Sequence, residues 1–234
     1  MKIAADLHIH SCLSPCGDQD MTPNNLVNMS AIKGLKAIAV TDHNTVRNLP
    51  AIKACCREVG LLLIPGLEVQ TREDVHVLCY FPALENALAF GDLIENSLPP
   101  MPNKPEIFGE QSILNEQDVC TGTIEKLLLQ SVPQDMEEID LLCRAHGGIC
   151  VPAHINRQAN SLLYLLGFLP TVPAFPTVEI NPKGPASTVE LGKRHVLYNS
   201  DAHYLEDIFE EDHVIDLSEC SAACFVEKYA SLRE

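Results

Sequence analysis

Basic residues are scarce in this 234-residue chain, which has 16 Lys and Arg against 32 Asp and Glu and a formal net charge of −16. Proteins that hold nucleic acids through phosphate contacts usually carry a basic stripe. We therefore expect no stable nucleic-acid partner. A small anionic substrate remains compatible with this charge if bound metal ions supply positive charge locally.

The sequence also lacks the marks of secretion and of membrane insertion. Residues 1–5 are followed at once by Asp6, His8 and His10, so no apolar signal core is present there. The longest uncharged stretch, residues 161–178, contains three prolines and is too broken for a membrane helix. The ten cysteines include no C-x-x-C pair. We therefore expect reduced thiols in a cytoplasmic protein with no membrane partner.

Short apolar segments alternate with helical segments along most of the chain. We predict strands at residues 3–10, 36–41, 61–69, 76–81, 149–154, 177–181, 195–199 and 213–217, and helices at 22–34, 48–59 and 221–232. Such alternation is typical of parallel strands joined by crossover helices. The sequence thus predicts an α/β fold, either a closed or distorted β/α barrel or an open doubly wound sheet.

The middle of the chain has a different pattern. Residues 84–96, 111–130 and 134–146 resemble helices, and no convincing strand lies between residues 82 and 147. We interpret residues 84–146 as a helical insertion on the same scaffold, so that residues 1–234 form a single domain.

Histidines and carboxylates gather at the ends of the predicted strands. In a parallel barrel the carboxyl ends of the strands lie on one face, where active sites form. His8 and His10 end the first strand, and residues i and i+2 of a strand point to the same side, so both imidazoles can bind one ion. Asp201 and His203 repeat that spacing. The other candidates are His43, Glu68, His76 and His154. Imidazole plus carboxylate is a ligand set for Zn²⁺, Mn²⁺ or Fe.

Two further aspartates lie beside these candidates. Asp6 and Asp42 are one or two residues from a candidate ligand. Each has two interpretations, a turn or cap role, or acceptance of a hydrogen bond from a ligand imidazole. For Asp6 we favour the second.

Taken together, these motifs resemble the polymerase and histidinol phosphatase (PHP) family of metal-dependent phosphoesterases. The segment Asp6-Leu7-His8-Ile9-His10-Ser11 is similar to the first family motif, and Thr41-Asp42-His43-Asn44 to the second. The third is matched by Gly66-Leu67-Glu68 with His76-Val77-Leu78. Pro152-Ala153-His154 and Asn199-Ser200-Asp201-Ala202-His203 complete the set. The resemblance implies a distorted (β/α)7 barrel, similar to a TIM barrel, with a trinuclear metal centre.

Carried over residue by residue, the resemblance implies three metal sites and a cofactor of two or three Mn, Fe or Zn ions. The first site would use His8, His10, Glu68 and Asp201. The second would share Glu68 and add His76 and His154. The third would use Asp18, His43 and His203. Asp18 is chosen by counting back from Thr22-Pro23, and Asp20 is the competing candidate.

The implied reaction is attack of a metal-activated hydroxide at the phosphorus of a small phosphomonoester or nucleotide. Glu68 and Asp201 would serve the catalytic metals, and Arg157, three residues after His154, would hold phosphoryl oxygens. The alternative for Arg157 is a surface ion pair. Two rival functions remain open: an amidohydrolase-like C–N hydrolase, and a non-catalytic metal-binding regulatory protein.

Overall fold

The computed structural model describes residues 1–186 and 189–233, and strands and helices alternate through most of them. The described strands are β1 (Lys2–Ile9), β2 (Ala37–Val40), β3 (Leu62–Leu63), β4 (Gly66–Gln70), β5 (His76–Tyr80), β6 (Ser112–Leu114), β7 (Cys120–Thr123), β8 (Ile149–Pro152), β9 (Thr177–Ile180), β10 (His195–Tyr198) and β11 (Val214–Asp216). The described α-helices are α1 (Pro23–Ile32), α2 (Leu49–Val59), α3 (Leu84–Ser97), α4 (Pro105–Phe108), α5 (Met136–Ala145), α6 (Leu162–Leu166) and α7 (Ala222–Tyr229). The predicted α/β class is confirmed.

Hydrogen-bonded ladders divide the described strands into four sheets. One sheet has the order β11-β1-β2-β3, a second β4-β5-β8, a third β10-β9, and the last is the β6-β7 hairpin. Single parallel bridges join Ile9 to Ala202 and His43 to Glu68, and so connect the first sheet to the chain after β10 and to β4. The ladders of the described residues form no continuous ring, so the strict (β/α)7 barrel stays a prediction.

Strand β5 departs from the predicted parallel arrangement. It pairs antiparallel with both β4 and β8. The connection from β4 to β5 is a tight turn in which Thr71 N donates to Val75 O and Asp74 has a φ of 67°. A connection this short leaves no room for a crossover helix, so the chain must reverse.

The predicted helix at residues 111–130 is wrong, because the structure has the β6-β7 hairpin there. In its turn, Asn115 Oδ1 accepts hydrogen bonds from the backbone N of Gln117 and Val119, and Asp118 has a φ of 57°. Asn and Asp tolerate such turns and compete with helix hydrogen bonding. The other two helices predicted for the insertion, at residues 84–96 and 134–146, overlap α3 and α5.

Capping residues in the sequence mark the start of α1 and the end of α2. Thr22 caps α1, with its side chain accepting from Asn25 N, and Pro23 occupies the first turn. Gly60, with a φ of 72°, ends α2 in the left-handed conformation that glycine adopts without strain. No helix in residues 1–186 and 189–233 is long and apolar enough to span a bilayer.

Apolar side chains pack on both sides of the strands. Leu26, Ile52 and Phe90 belong to a buried cluster between the helices and the strands. Leu7 and Leu78 belong to a second buried cluster, on the opposite face of the strands. Strand β1 is buried along almost its whole length. Any polar side chain on it must therefore find a partner in the interior.

Candidate metal centre

The structure brings most of the predicted ligands together at one edge of the strands. His8 and His10 lie at the end of β1, His43 after β2, Glu68 within β4, His154 after β8, and Asp201 and His203 after β10. His76 opens β5 rather than ending it. Because β5 runs antiparallel to its neighbours, its first residue lies at the same edge as the ends of the others.

Glu68 is the centre of the group. Its side chain is about 1% exposed, and ring nitrogens of five histidines lie 3.0–3.5 Å from its two oxygens. These histidines are His8, His10, His43, His76 and His154. A buried carboxylate with this many imidazoles is placed to serve more than one cation.

Asp201 extends the group on the opposite side of His8 and His10. Its Oδ1 lies 3.3 Å from Nε2 of each histidine, and His203 packs its ring against His10 with centroids 4.4 Å apart. A guanidinium nitrogen of Arg157 contacts the other oxygen of Asp201. Arg157 therefore lies at the mouth of the group, with its side chain 44% exposed.

The hydrogen bonds of the Nδ1 atoms of His8 and His10 indicate which ring nitrogen carries a proton. His8 Nδ1 lies 3.0 Å from Glu179 Oε2, and His10 Nδ1 lies 3.0 Å from Ser14 Oγ, whose own proton goes to Asp42. Both Nδ1 atoms are therefore assigned as donors, which leaves both Nε2 atoms with lone pairs. These two Nε2 atoms face each other at 3.2 Å.

If both imidazoles are neutral, these two lone pairs repel, so the pair needs a cation between or beside it, either a proton or a metal ion. In the described part of the chain the buried Nδ1 of His154 also has no hydrogen-bond partner. The donor set is imidazole and carboxylate, which suits Zn²⁺, Mn²⁺ or Fe²⁺. The residues present therefore fit divalent metal ions.

The charges of the site favour cations as well. Burial by itself lowers the pKa of His8, but the carboxylates of Glu179, Glu68 and Asp201 raise it well above its usual range. Burial raises the pKa of Glu68, but the imidazoles of His76, His8 and His43 hold it well below the usual range. Glu68 is thus ionised, and positive charge on the atoms around it is strongly stabilised.

Ligand atoms fall into three overlapping groups, in each of which all of them lie within 4.8 Å of one another. The first contains His8, His10 and Asp201, and the second contains His43, Glu68 and His76. The third contains His10, Cys16, His43 and His203. His154 is not in these groups but touches Glu68 directly, with its Nε2 at 3.2 Å from Oε1.

Asp18 is the second predicted ligand that lies outside these groups. Its Oδ1 accepts a hydrogen bond from Asp20 N, and its own backbone N donates to His203 O. The thiol of Cys16, in the same loop, instead lies with His10, His43 and His203. The loop folds back on itself through hydrogen bonds from Ser14 N to Ser11 O and from Gly17 N to Ser14 O, which places the exposed Cys16 beside these histidines. Counting from Thr22-Pro23 could not reveal this fold of the loop.

Two of the candidate ligands have unusual backbone conformations. His154 has a φ of 28° and Asp201 a φ of 55°. For residues other than glycine such values cost about 1–3 kcal/mol each and persist where surrounding contacts impose them. Here the contacts are present, since His154 N donates to Glu179 Oε2 at 2.7 Å and Ala202 N donates to Ser200 Oγ at 3.1 Å.

Glu179 on β9 is the site residue that the sequence interpretation missed. Its side chain is about 1% exposed and accepts hydrogen bonds from His8 Nδ1, from Asn199 Nδ2 at 2.6 Å and from His154 N. It thus orients one candidate ligand through its ring and another through its backbone. The available signal was a lone acidic residue within the otherwise apolar run Thr177–Ile180.

The two aspartates near the motifs act differently from each other. Among the residues that the structure describes, Asp6 accepts hydrogen bonds from the backbone N of Ser200 and Phe209 and none from an imidazole. The predicted hydrogen bond from a ligand imidazole to Asp6 is therefore wrong. Asp42 accepts from Ser11 and Ser14, and Ser14 in turn contacts His10. Asp42 therefore reaches a candidate ligand through one hydroxyl.

The site opens into a cleft. A cavity of about 150 Å³ is lined by candidate ligands together with Arg157 and Asn160. Arg157 also lines two neighbouring cavities, one of about 300 Å³ that contains Lys183 and one of about 260 Å³ that contains Tyr164. The guanidinium therefore lies where three parts of the cleft meet.

Comparisons with known proteins agree with this geometry. A family model described as the PHP domain matches residues 6–155. The chain is 35% identical over 76 residues to a 5′-3′ exoribonuclease of Haemophilus influenzae, covering 31% of this chain and 27% of that protein. It is 35% identical over 77 residues to an uncharacterized protein of Methanocaldococcus jannaschii, covering 30% of this chain and 45% of that protein. The matches thus span less than half the length of these relatives.

Two solved structures share the fold at low sequence identity. The lesion-specific endonuclease PfuEndoQ from Pyrococcus furiosus superposes with a TM-score of 0.65 and 18% identity, over 98% of this chain and 56% of that one. A putative metal-dependent phosphoesterase from Bifidobacterium adolescentis superposes with a TM-score of 0.58 and 18% identity, over 89% of this chain and 93% of that one.

Proposed function

The chain belongs to the PHP domain family and is a metal-dependent hydrolase of phosphoric esters; we propose that its substrate is a nucleotide or the end of an oligonucleotide. The observation that carries the proposal is the arrangement around Glu68, where imidazoles and carboxylates converge beside an exposed guanidinium. A phosphoryl group needs both features, cations for its charge and a forked donor for its oxygens.

We assign the metal ligands as follows. His8, His10 and Asp201 would hold one ion, and Glu68 would be shared with a second ion that His76 and His154 would also hold. His43 and His203 would hold a third, with the Cys16 thiol in the place expected for Asp18. When bound, such ions act as Lewis acids, lower the pKa of water from 15.7 to about 7 and neutralise phosphoryl charge.

The chain's own residues do the remaining work. Glu68 and Asp201 keep the ions together and are held ionised by the surrounding imidazoles. Glu179 and Ser14 hold His8 and His10 with their Nε2 atoms directed inward. Arg157 lies at the mouth of the site and donates to the non-bridging oxygens of the substrate.

The cleft favours a substrate with a body beyond the reacting phosphate. Tyr164, a residue that is 64% exposed, lines one of the cavities that Arg157 borders, and Lys183 lines another. An exposed aromatic ring suits stacking of a base, and an ammonium suits a second phosphate. The likeness to an exoribonuclease over 76 residues supports the same choice. A small phosphomonoester without a base would contact neither group.

A substrate panel tests the proposal. The protein, loaded with Mn²⁺ after removal of other metals, would be given glycerol phosphate, a nucleoside monophosphate, a nucleoside bisphosphate, a 5′-phosphorylated oligonucleotide and an amide substrate. We expect kcat/KM to be higher for the nucleotides than for glycerol phosphate, and no turnover without metal. Equal values for all phosphomonoesters would refute the nucleotide proposal. Hydrolysis of the amide alone would indicate a C–N hydrolase, and no turnover at all a regulatory metal-binding protein.

Replacement of Arg157 by alanine should lower kcat/KM on the best substrate while the metal content stays unchanged. Loss of one charge-assisted contact costs about 1.5–3 kcal/mol, or about one to two decades. Arg157→Lys should recover only part of the loss, because lysine lacks the bidentate fork. Lys193→Ala, at a residue outside the cavities of the cleft, serves as the matched control. Unchanged kcat/KM in Arg157→Ala would make this residue a surface ion pair.

Cys16 and Asp18 allow a direct test of the third metal position. Cys16→Ala should lower the number of bound metal ions per chain, whereas Asp18→Asn should leave it unchanged, because only the thiol lies with His43 and His203. Cobalt-loaded protein should show a thiolate-to-cobalt absorption band that disappears in Cys16→Ala. Loss of metal in Asp18→Asn but not in Cys16→Ala would instead support Asp18 as the ligand, as the sequence predicts.

A further inference from the structure

Three cysteine thiols meet in the core, apart from the metal centre. Cys79 lies on β5, Cys150 on β8 and Cys143 in the last turn of α5. Their Sγ atoms all lie within 4.8 Å of one another, and those of Cys79 and Cys150 are 3.6 Å apart. At most 2% of each residue is exposed. We call these three residues the thiol cluster.

The pairing of two strands and the position of α5 bring these thiols together. Cys79 and Cys150 are register partners on antiparallel strands, so their side chains point to the same side of the sheet. Helix α5 then passes over that side and adds Cys143. Gly148 allows the close packing, since a Cβ there would lie 2.7 Å from the Sγ of Cys143.

The thiols have few other partners among the described residues. Cys150 Sγ contacts Ile139 O at 3.8 Å and Cys79 Sγ contacts Val77 O at 4.0 Å, both long for hydrogen bonds. One turn before Cys143, Asp140 has a buried Oδ1 without a hydrogen-bond partner in the described ranges. The other oxygen of Asp140 accepts a hydrogen bond from Arg144 Nε at 2.8 Å, so this carboxylate is already paired with a cation.

We propose that the thiol cluster binds trivalent arsenic, as three-coordinate As(III). Arsenous acid and three thiols give three As–S bonds and three water molecules, with no change of oxidation state and no net charge on the product. A neutral product is the least costly to bury in the apolar core that surrounds the cluster. Three convergent donors without a fourth also suit As(III), whose lone pair occupies the remaining position.

Other thiophilic ions fit the cluster less well. Zn²⁺ with three thiolates has a charge of −1 and prefers a fourth ligand, yet the group in the described residues consists of these three thiols alone. Cu⁺ with three thiolates has a charge of −2. Burying either charge without a partner costs several kcal/mol.

Native mass spectrometry of the metal-loaded full chain with arsenite tests the inference. We expect one arsenic per chain, accompanied by loss of three thiol protons, with the metals of the centre still bound. Binding should be slow compared with the reaction of an exposed thiol such as Cys120, because the buried cluster must open locally first. Cys79→Ala, Cys143→Ala and Cys150→Ala should each weaken arsenite binding by about tenfold or more.

Control variants separate this site from other thiols. Cys55→Ala removes one of two adjacent cysteines, and Cys220→Ser removes an exposed one; arsenite affinity should be unchanged in both. Circular dichroism of each variant establishes that it is folded, and any two folded variants of the cluster suffice for the comparison. The inference is overturned if affinity is unchanged in Cys150→Ala, if it falls in a control variant, if arsenite displaces the centre's metals, or if Zn²⁺ or Cu⁺ binds the cluster more tightly than arsenite.

Discussion

Replacement of Glu68 by glutamine should remove nearly all phosphoesterase activity. Five imidazole nitrogens lie within 3.5 Å of its carboxylate, and the amide retains its size but not its charge. Removing one partner from a buried charged group costs about 3–5 kcal/mol of folding stability, so the variant must be shown to be folded. We expect kcat to fall by about two decades or more, because the proposed catalytic ions would lose their shared carboxylate. Metal content should fall at the same time, because the proposed bridge between two ions is lost.

The measurement is kcat together with metal content by elemental analysis, and excess Mn²⁺ should not restore the activity. Glu58→Gln, at an exposed residue of α2, provides the control for loss of one carboxylate and should leave both values unchanged. Wild-type kcat in a folded Glu68→Gln protein would show that Glu68 does not bridge the catalytic ions.

Replacement of Glu179 by glutamine should weaken metal binding by about 10- to 100-fold, which is the usual effect of losing a carboxylate that orients a ligand histidine. The side chain accepts from His8 Nδ1, Asn199 Nδ2 and His154 N, and an amide can satisfy at most part of this set. The negative charge that favours a cation beyond His8 is also lost. Glu179 is thus a positioning residue.

The distinguishing measurement is a titration with Mn²⁺, following both binding and activity. In Glu179→Gln the apparent Kd for Mn²⁺ should rise, and saturating Mn²⁺ should return most of the kcat, in contrast to Glu68→Gln. Substrate KM at saturating metal should stay close to that of the unmodified protein. Unchanged metal affinity in the folded variant, or a loss of kcat that no metal concentration repairs, would contradict this role.

Local sequence was sufficient for the outline of the site. The His8-x-His10 spacing follows from the period of a strand, and it holds wherever the strand lies in the sheet. The position of His154 just after a strand was likewise readable from an apolar run that stops at a polar residue. The structure brings these side chains together, and the family match covers the motifs up to residue 155.

Contacts between distant segments decided the rest. Glu179 is 171 residues from His8 in the chain, and nothing local marks it as the acceptor for that imidazole. Whether Cys16 or Asp18 faces His43 depends on how one loop folds, and its backbone hydrogen bonds reach as far as His203. The antiparallel course of β5 brings His76 to the site and Cys79 to Cys150. Periodicity reports which residues share a face of an element, whereas pairing, direction and loop path are set by packing between elements, and so only the tertiary structure determines them.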